Sequence, residues 1–149
     1  MTVDFDWLPF DRLTGRQVHD VLQLRERVFI VEQTCPYLDA DGSDPRCWHG
    51  LGMKDGVLVA TARIVPPGEK FGEPAIGRVV TAPEVRREGA GRALMISAIA
   101  QVKRLYPGQP IRIGAQRYLE RFYGSLGFVP MGEPYDEDGI PHIEMLREI

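Results

Sequence analysis

Apolar and polar residues alternate at the start of the chain and then recur at helical spacing. The alternation over residues 3–10 predicts a strand. Thr14 with Gln17 three positions later is typical of a helix N-terminus with a capping box. Arg25 lies on the apolar stripe of the helix that follows, so it either pairs with a buried acid or extends its charge to solvent. The apolar members of this stripe are Val18, Val21, Leu22, Val28 and Phe29.

The middle of the chain has the pattern of a hairpin that follows a long loop. Residues 34–46 are rich in Pro, Asp and Gly and lack periodicity, which predicts a loop, and loops of this length are often functional. Two apolar runs, 48–54 and 57–65, flank an Asp-Gly pair, the strongest hairpin signal in the sequence. Residues 75–82 are rich in β-branched side chains and predict another strand.

The second half of the chain alternates helices with strands. A wide apolar stripe predicts a well-buried helix over 89–106. The predicted elements after it are a strand at 111–115, a short helix at 118–125, a strand from 128 to 131, a turn at 134–139 and a last strand at 140–147. The order β-α-β-β-β-α-β-α-β-β predicts one α/β (α+β) domain over 1–149, with a mixed central sheet of about seven strands flanked by helices.

Composition and charge exclude several classes of protein. The 149 residues are 44% hydrophobic and 26% charged, which suits one globular domain. The net charge is −3 and no basic stripe is visible, so no nucleic-acid partner is expected. Without a long apolar run or a signal-peptide pattern, we expect a cytoplasmic protein with no membrane partner. Cys35, Cys47 and His49 match known metal spacings poorly, so reduced thiols and no bound metal are expected.

Acidic residues are concentrated in two segments. Such clusters are either solvated loops or a negative rim that attracts a cationic amine. The first cluster follows the first helix and the second lies near the C-terminus; they consist of Asp39, Asp41 and Asp44, and of Glu133, Asp136, Glu137 and Asp138.

The segment 75–94 predicts an anion site at the start of a helix. Arg86, Gly89 and Gly91 form the pattern R-x-x-G-x-G after an apolar strand. The first turn of a helix has unpaired N–H groups and a partial positive charge, and glycines let a phosphate approach closely. The segment lacks both the Lys-Ser/Thr of a P-loop and the third glycine of the dinucleotide fingerprint. A pyrophosphate of another kind is predicted; the alternative is a glycine-containing helix cap with solvated arginines.

These motifs resemble the GNAT acetyltransferase superfamily. The R-x-x-G-x-G turn resembles its motif A, and YLERFYGSLGF at 118–128 is similar to its helix-to-strand FYxxLGF segment. Nearly the whole chain resembles the ElaA family within it, through LQLRERVFIVEQTCPY (22–37), IGRVV (76–80), GAQ (114–116) and DGIPHIEM (138–145). The resemblance implies a GNAT fold that uses acetyl-CoA as co-substrate and acetylates an amine.

The resemblance also implies roles for individual residues. The strand at Val79, Val80 and Thr81 would bind the pantetheine arm, with the Val79 amide as donor to the thioester oxygen. Tyr123 would protonate the departing thiolate, unless it is only a core aromatic. Gln116 is also implied as a contact of the pantetheine arm, at a position where many relatives carry an Asn. The remaining residues implied for coenzyme binding are Arg86, Arg87, Gly89, Ala90, Gly91, Arg92 and Phe122.

The general base and the acceptor stay open at this level. Glu32, His142 and His49 are candidate bases that the sequence does not separate. Direct transfer to a small-molecule or peptide amine is the leading hypothesis, because no motif positions Cys35 or Cys47 to carry an acetyl group. A non-catalytic acyl-CoA sensor of the same fold is the alternative hypothesis. Acyl-homoserine-lactone synthesis is a third hypothesis, since LRERVFIVEQ distantly resembles a segment of those synthases. Homodimer formation is also left open.

Overall fold

The protein, described here as a computed structural model over residues 2–149, consists of seven strands and three α-helices. A π-helix, Glu26–Glu32, continues the first α-helix. The strands are β1 Asp4–Pro9, β2 Trp48–Lys54, β3 Val57–Val65, β4 Ala75–Thr81, β5 Ile111–Gln116, β6 Phe128–Glu137 and β7 Ile140–Arg147. The α-helices are α1 Gly15–Arg25, α2 Ala90–Leu105 and α3 Glu120–Gly124.

The seven strands form one mixed sheet in the order β1-β2-β3-β4-β5-β7-β6. Only the central pair, β4 with β5, is parallel; the other neighbours are antiparallel. The hairpin between β2 and β3 turns at Asp55 and Gly56, whose φ angles of 53° and 76° suit a tight Asp-Gly turn. The predicted fold class and this hairpin are therefore confirmed.

Helices cover both faces of the sheet. On one face, α2 packs its fully buried Leu94 and Ala98 against Ala60 and Ile64 of β3. On the opposite face, α1 packs against β3 and β4 through Leu24. The predicted capping box is present, since the Thr14 side chain accepts from the Gln17 amide and the Gln17 side chain accepts from the Thr14 amide.

The two central strands separate soon after they meet. Ala75 and Arg112 are the one pair in register between β4 and β5. Beyond that pair the two strands diverge, and the register of β4 with β3 is interrupted opposite Arg78 and Val79. Arg78 has a φ of +48°, as expected at a β-bulge. The sheet therefore opens into a V whose arms are β4 and β5.

The C-terminal hairpin is longer than its sequence predicts. The predicted turn over 134–139 is wrong, because β6 continues to Glu137 and only Asp138 and Gly139 form the turn. Pro134 is tolerated because β6 is the outer strand and Pro134 lies in the register break between Met131 and Tyr135. Across residues 2–149, none of the helices combines the length and apolarity needed to cross a membrane.

Candidate active site

A cleft of about 910 Å³ occupies the opening between β4 and β5. Its walls also include residues from the π-helix, the loop at 33–47, the start of α2, α3 and the β6–β7 hairpin. Every residue predicted to bind the coenzyme lines this cleft: Val79, Val80, Thr81, Arg86, Arg87, Gly89, Ala90, Gly91, Arg92, Gln116, Phe122 and Tyr123. The divergence of two parallel strands thus brings segments far apart in sequence to one site.

The edge of β4 that faces β5 is available for hydrogen bonding. Val80 and Thr81 pair with β3 on one side, while on the other side the ladder with β5 ends at Ala75. Val79 lies in the bulge and belongs to neither register. Because unpaired backbone groups at a sheet edge accept an added strand, an extended amide-containing chain fits this edge.

The start of α2 presents backbone amides to the same cleft. Gly89 caps the helix with a φ of +81°, a conformation that favours glycine, and its carbonyl accepts the first helical bond from Ala93 at 3.0 Å. The amides of Ala90, Gly91 and Arg92 therefore lie in the first turn, where N–H groups have no partner within the helix. This turn has the geometry of an anion site.

The arginines near this turn make contacts that an incoming anion could replace. Arg86 forms a two-pronged ion pair with Glu32, at 2.6 and 2.9 Å, and also donates to the Thr81 carbonyl at 3.3 Å. Arg92 donates to the Ser125 hydroxyl at 3.0 Å. The hydrogen bond from Arg86 lowers the pKa of the Glu32 carboxyl, which makes Glu32 a weaker proton acceptor.

Tyr123 combines a core ring with a place in the cleft wall. Its ring packs edge-on against Phe122 and Phe128, with centroids 5.1 and 6.1 Å away. Burial raises the pKa of Tyr123 to about 12, so the phenol stays protonated at neutral pH. The two interpretations offered by the sequence, core aromatic and proton donor, are compatible in this position.

The two histidine candidates lie in different environments. His49 is enclosed outside the cleft, where its Nε2 lies 2.9 Å from the Asp44 carbonyl and burial lowers its pKa. His49 thus contacts the loop at 33–47 and is not among the residues that line the cleft, whereas the other two predicted bases, Glu32 and His142, are. His142 lines the cleft, with Nδ1 2.7 Å from the Ile140 carbonyl and Nε2 3.4 Å from Glu137.

The first acidic cluster is neither a solvated loop nor a negative rim. Its three aspartates bind three arginines that reach them from α1, β3 and β4. We call this group the Arg–Asp cluster; it consists of Arg25, Arg63 and Arg78 with Asp39, Asp41 and Asp44. The charges balance, so the cluster offers no net attraction to a cation. It fixes the loop at 33–47 against the sheet.

Arg25 is the most buried member of the Arg–Asp cluster, at 1% exposure. Its Nε donates to Asp39 at 2.8 Å and its Nη1 to Asp44 at 3.0 Å. Of the two interpretations of Arg25 on an apolar stripe, pairing with buried acids is therefore the one observed. Burial raises the pKa of Asp41, but hydrogen bonds and charge from Arg63, with the charge of Arg78, outweigh it and lower that pKa to about 2.

Arg63 and Arg78 also line the cleft, although neither belongs to a motif visible in the sequence. Arg63 Nη1 donates to Asp41 at 2.7 Å and to Asp44 at 2.8 Å. The guanidinium of Arg78 lies over the Tyr37 ring, 5.6 Å from its centroid. One signal could have indicated Arg63: it is the one charged residue of the mostly apolar strand VLVATARIV, and a charge there needs a buried partner.

Both cysteines are buried free thiols. Burial raises the pKa of Cys47 to about 11, and its Sγ donates to the Ser43 carbonyl at 3.1 Å. Cys35 lines the cleft and donates to the Asp138 carbonyl at 3.3 Å. A thiol with a raised pKa is a poor nucleophile, so Cys47 is unsuited to carry an acetyl group. Within residues 2–149, no group of three or more His, Cys, Asp or Glu side chains is arranged to hold a metal ion.

Comparison with known proteins relates the whole chain to one family. Residues 51–149 match the family described as acetyltransferase (GNAT) domain. ElaA of Escherichia coli K12 is 42% identical over 149 residues, which cover 99% of this chain and 97% of that protein. The crystal structure of E. coli ElaA has a TM-score of 0.93, at 41% identity over 99% of this chain and 100% of that one. An acyl-CoA N-acyltransferase from Pseudomonas aeruginosa has a TM-score of 0.94, at 39% identity over 98% and 99% of the two chains.

Proposed function

The chain belongs to the GNAT acetyltransferase family and to its ElaA-like group, and we propose that it transfers an acetyl group from acetyl-CoA directly to a primary amine of a small molecule or peptide. One observation carries this proposal. The opening between β4 and β5 brings an unpaired strand edge, an open helix N-terminus and Tyr123 into one cleft. The strand edge suits an amide-containing arm, the helix N-terminus suits a diphosphate, and Tyr123 can protonate a thiolate leaving group.

Each part of acetyl-CoA has a complementary feature in the cleft. The pantetheine arm would lie along the β4 edge as an added strand. The pyrophosphate would accept hydrogen bonds from the first turn of α2 and from Arg86, Arg87 and Arg92. Because Arg86 is paired with Glu32, binding of the pyrophosphate would exchange one anionic partner for another.

The reaction proceeds in one transfer step. The free amine attacks the thioester carbonyl, whose oxygen gains negative charge and accepts a hydrogen bond from the Val79 amide. The C–N bond forms, the C–S bond breaks and the thiolate takes a proton from the Tyr123 hydroxyl. A base must first remove a proton from the ammonium; the candidates that line the cleft are Glu32 and His142.

A thiol-release assay tests the proposal. Wild-type protein and acetyl-CoA are incubated with a panel of polyamines, amino acids and lysine peptides, and free CoA is measured. Tyr123→Phe should lower kcat about 10- to 100-fold with little change in KM, because only the departing thiolate needs the proton. Tyr106→Phe, at the far end of α2, is the matched control. Tight CoA binding without turnover of any amine would favour the sensor instead.

A further inference from the structure

We infer that His142 and Glu137 form a binding site, which we call the seat, for the primary ammonium group of the acceptor. In this site His142 is the base and Glu137 selects for positive charge. This inference rests on the proposed function for its chemical step, although the seat itself is a binding site that does not require turnover. Glu137 belongs to the acidic segment near the C-terminus.

The fold places both side chains at the open end of the V. His142 pairs across the sheet with Gln116 of β5 and with Tyr135 of β6. Buried Ile113 and Ala115 face the main core, so Gln116 and its neighbour His142 lie on the other face of that arm. Both His142 and Glu137 line the cleft.

One hydrogen bond determines which nitrogen of His142 can act. A backbone carbonyl only accepts, so the contact of 2.7 Å with the Ile140 carbonyl requires a proton on Nδ1. The neutral imidazole then carries its lone pair on Nε2. Nε2 is the nitrogen directed toward Glu137, at 3.4 Å from Oε2.

When the imidazole is neutral, its Nε2 lone pair and the Glu137 carboxylate are both acceptors, so they cannot hydrogen-bond to each other. A group with several N–H donors and a positive charge can bind both, and a primary ammonium has three such donors. The Arg–Asp cluster is electrically balanced, so it does not compete for a cation. Glu32, another carboxylate of the cleft, is paired with Arg86 in this structure, so the negative charge beside His142 comes from Glu137 of the β6–β7 hairpin.

The neighbours of His142 hold its ring in place. Tyr135 stacks on the imidazole with centroids 5.8 Å apart and an angle of 28°. The Tyr135 hydroxyl lies over Gly114, where an added Cβ would be only 3.0 Å from it. A glycine at this position of β5 therefore leaves room for the stack, and His142 itself is only 8% exposed.

The chemical step balances with the groups named. His142 Nε2 takes one proton from the ammonium, and the neutral amine attacks the thioester. Tyr123 gives its proton to the sulfur as the C–S bond breaks, and it recovers a proton from the nitrogen that becomes the amide. His142 finally releases its proton to solvent, so an ammonium and acetyl-CoA give an amide, CoA and one proton.

An NMR titration tests the seat without turnover. The imidazole signals of His19, His49 and His142 are followed while n-butylammonium is added to the full chain. We expect a saturable shift of the His142 signal alone. Tetramethylammonium has the same charge but no N–H donor, and it should cause no such shift. Glu137→Gln should weaken n-butylammonium binding about fivefold, while Glu133→Gln, on the same exposed strand, should not change it.

Three results would overturn the seat: a His142 signal that does not move, equal binding by the two glutamine variants, or equal shifts with the two cations. The outcome is separable from that of the proposed function. If n-butylammonium binds as expected but no amine is acetylated, the seat stands and the transferase assignment fails. If amines are acetylated while Glu137→Gln keeps the KM of the wild type, the transferase assignment stands and the seat fails.

Discussion

Three arginines lie in the Arg–Asp cluster and three lie around the first turn of α2, and the two groups differ in burial and in their partners. Arg25, Arg63 and Arg78 are held by aspartates inside the Arg–Asp cluster, and Arg25 is 1% exposed. Arg86, Arg87 and Arg92 are exposed around the first turn of α2. A buried arginine needs permanent acids because its charge cannot be left in a low-dielectric interior. An exposed arginine can exchange its partner at little cost, which is what ligand binding requires.

Removing a buried charge should have the largest effect on stability. We expect Arg25→Met, which keeps much of the side-chain volume, to lower the free energy of unfolding by about 3–5 kcal/mol, because Asp39 and Asp44 would remain buried with fewer partners. Urea denaturation measures the loss. Arg27→Met, two residues along the chain, removes an exposed pair with Glu84 and should leave the unfolding midpoint almost unchanged. Equal losses in the two variants would mean that the cluster is not a structural unit.

The opposite result is expected for the exposed group. Changing Arg86, Arg87 and Arg92 together to Gln should leave the fold intact and raise the Kd for CoA about 100-fold, since three charge-assisted contacts with the diphosphate would be lost. Isothermal titration with CoA measures the change. Arg104→Gln, at the other end of α2, is the control, because the Arg104 side chain hydrogen-bonds to Gln101 there, away from the first turn. Unchanged affinity in the triple variant would remove the basis for a diphosphate site on α2.

The first turn of α2 was predictable from the sequence, whereas the Arg–Asp cluster was not, for a physical reason. The α2 side is built from a contiguous segment, so the glycine spacing and the strand before it are visible as a motif. The Arg–Asp cluster joins residues that are 14 to 39 positions apart in the chain, and no local sequence pattern predicts such pairs. Arg25 on an apolar stripe gave one hint, because a charge there needs a partner.

The base candidates illustrate the same limit. His49 and His142 both begin or occupy strands, and their sequence surroundings do not say which one faces an opening. Which histidine faces the cleft is determined by the divergence of β4 and β5 after Ala75, because that divergence exposes the face of the β5–β7 pair that carries His142. Apart from the end of β6, strand positions were predictable from alternation and turns, whereas the width of the gap between two parallel strands was not.

Acid should weaken the Arg–Asp cluster through its carboxylates. The pKa of Asp41 is about 2, below its ordinary value of 3.8, so its ion pairs stabilise the fold fully above pH 3.8. This contribution, about 1 kcal/mol after solvent screening is allowed for, is lost as the pH falls toward 2. Unfolding measured between pH 4.5 and 2 should show a shallower decline for Asp41→Asn than for the wild type. Parallel curves would show that Asp41 is not held by Arg63 and Arg78.

The smallest expected effect concerns the exposed ion pair between Glu32 of the π-helix and Arg86. If this exposed ion pair is exchanged for the diphosphate, Glu32→Gln should tighten CoA binding about two- to fivefold, because the competing carboxylate and its repulsion of the diphosphate are both removed. Titration with CoA measures the affinity, and Glu84→Gln, which frees Arg27 instead, is the control. The same variant separates the base candidates. If kcat stays within twofold of the wild type, His142 is the residue that removes the proton from the amine. If kcat falls 100-fold or more while CoA binds more tightly, Glu32 is the base.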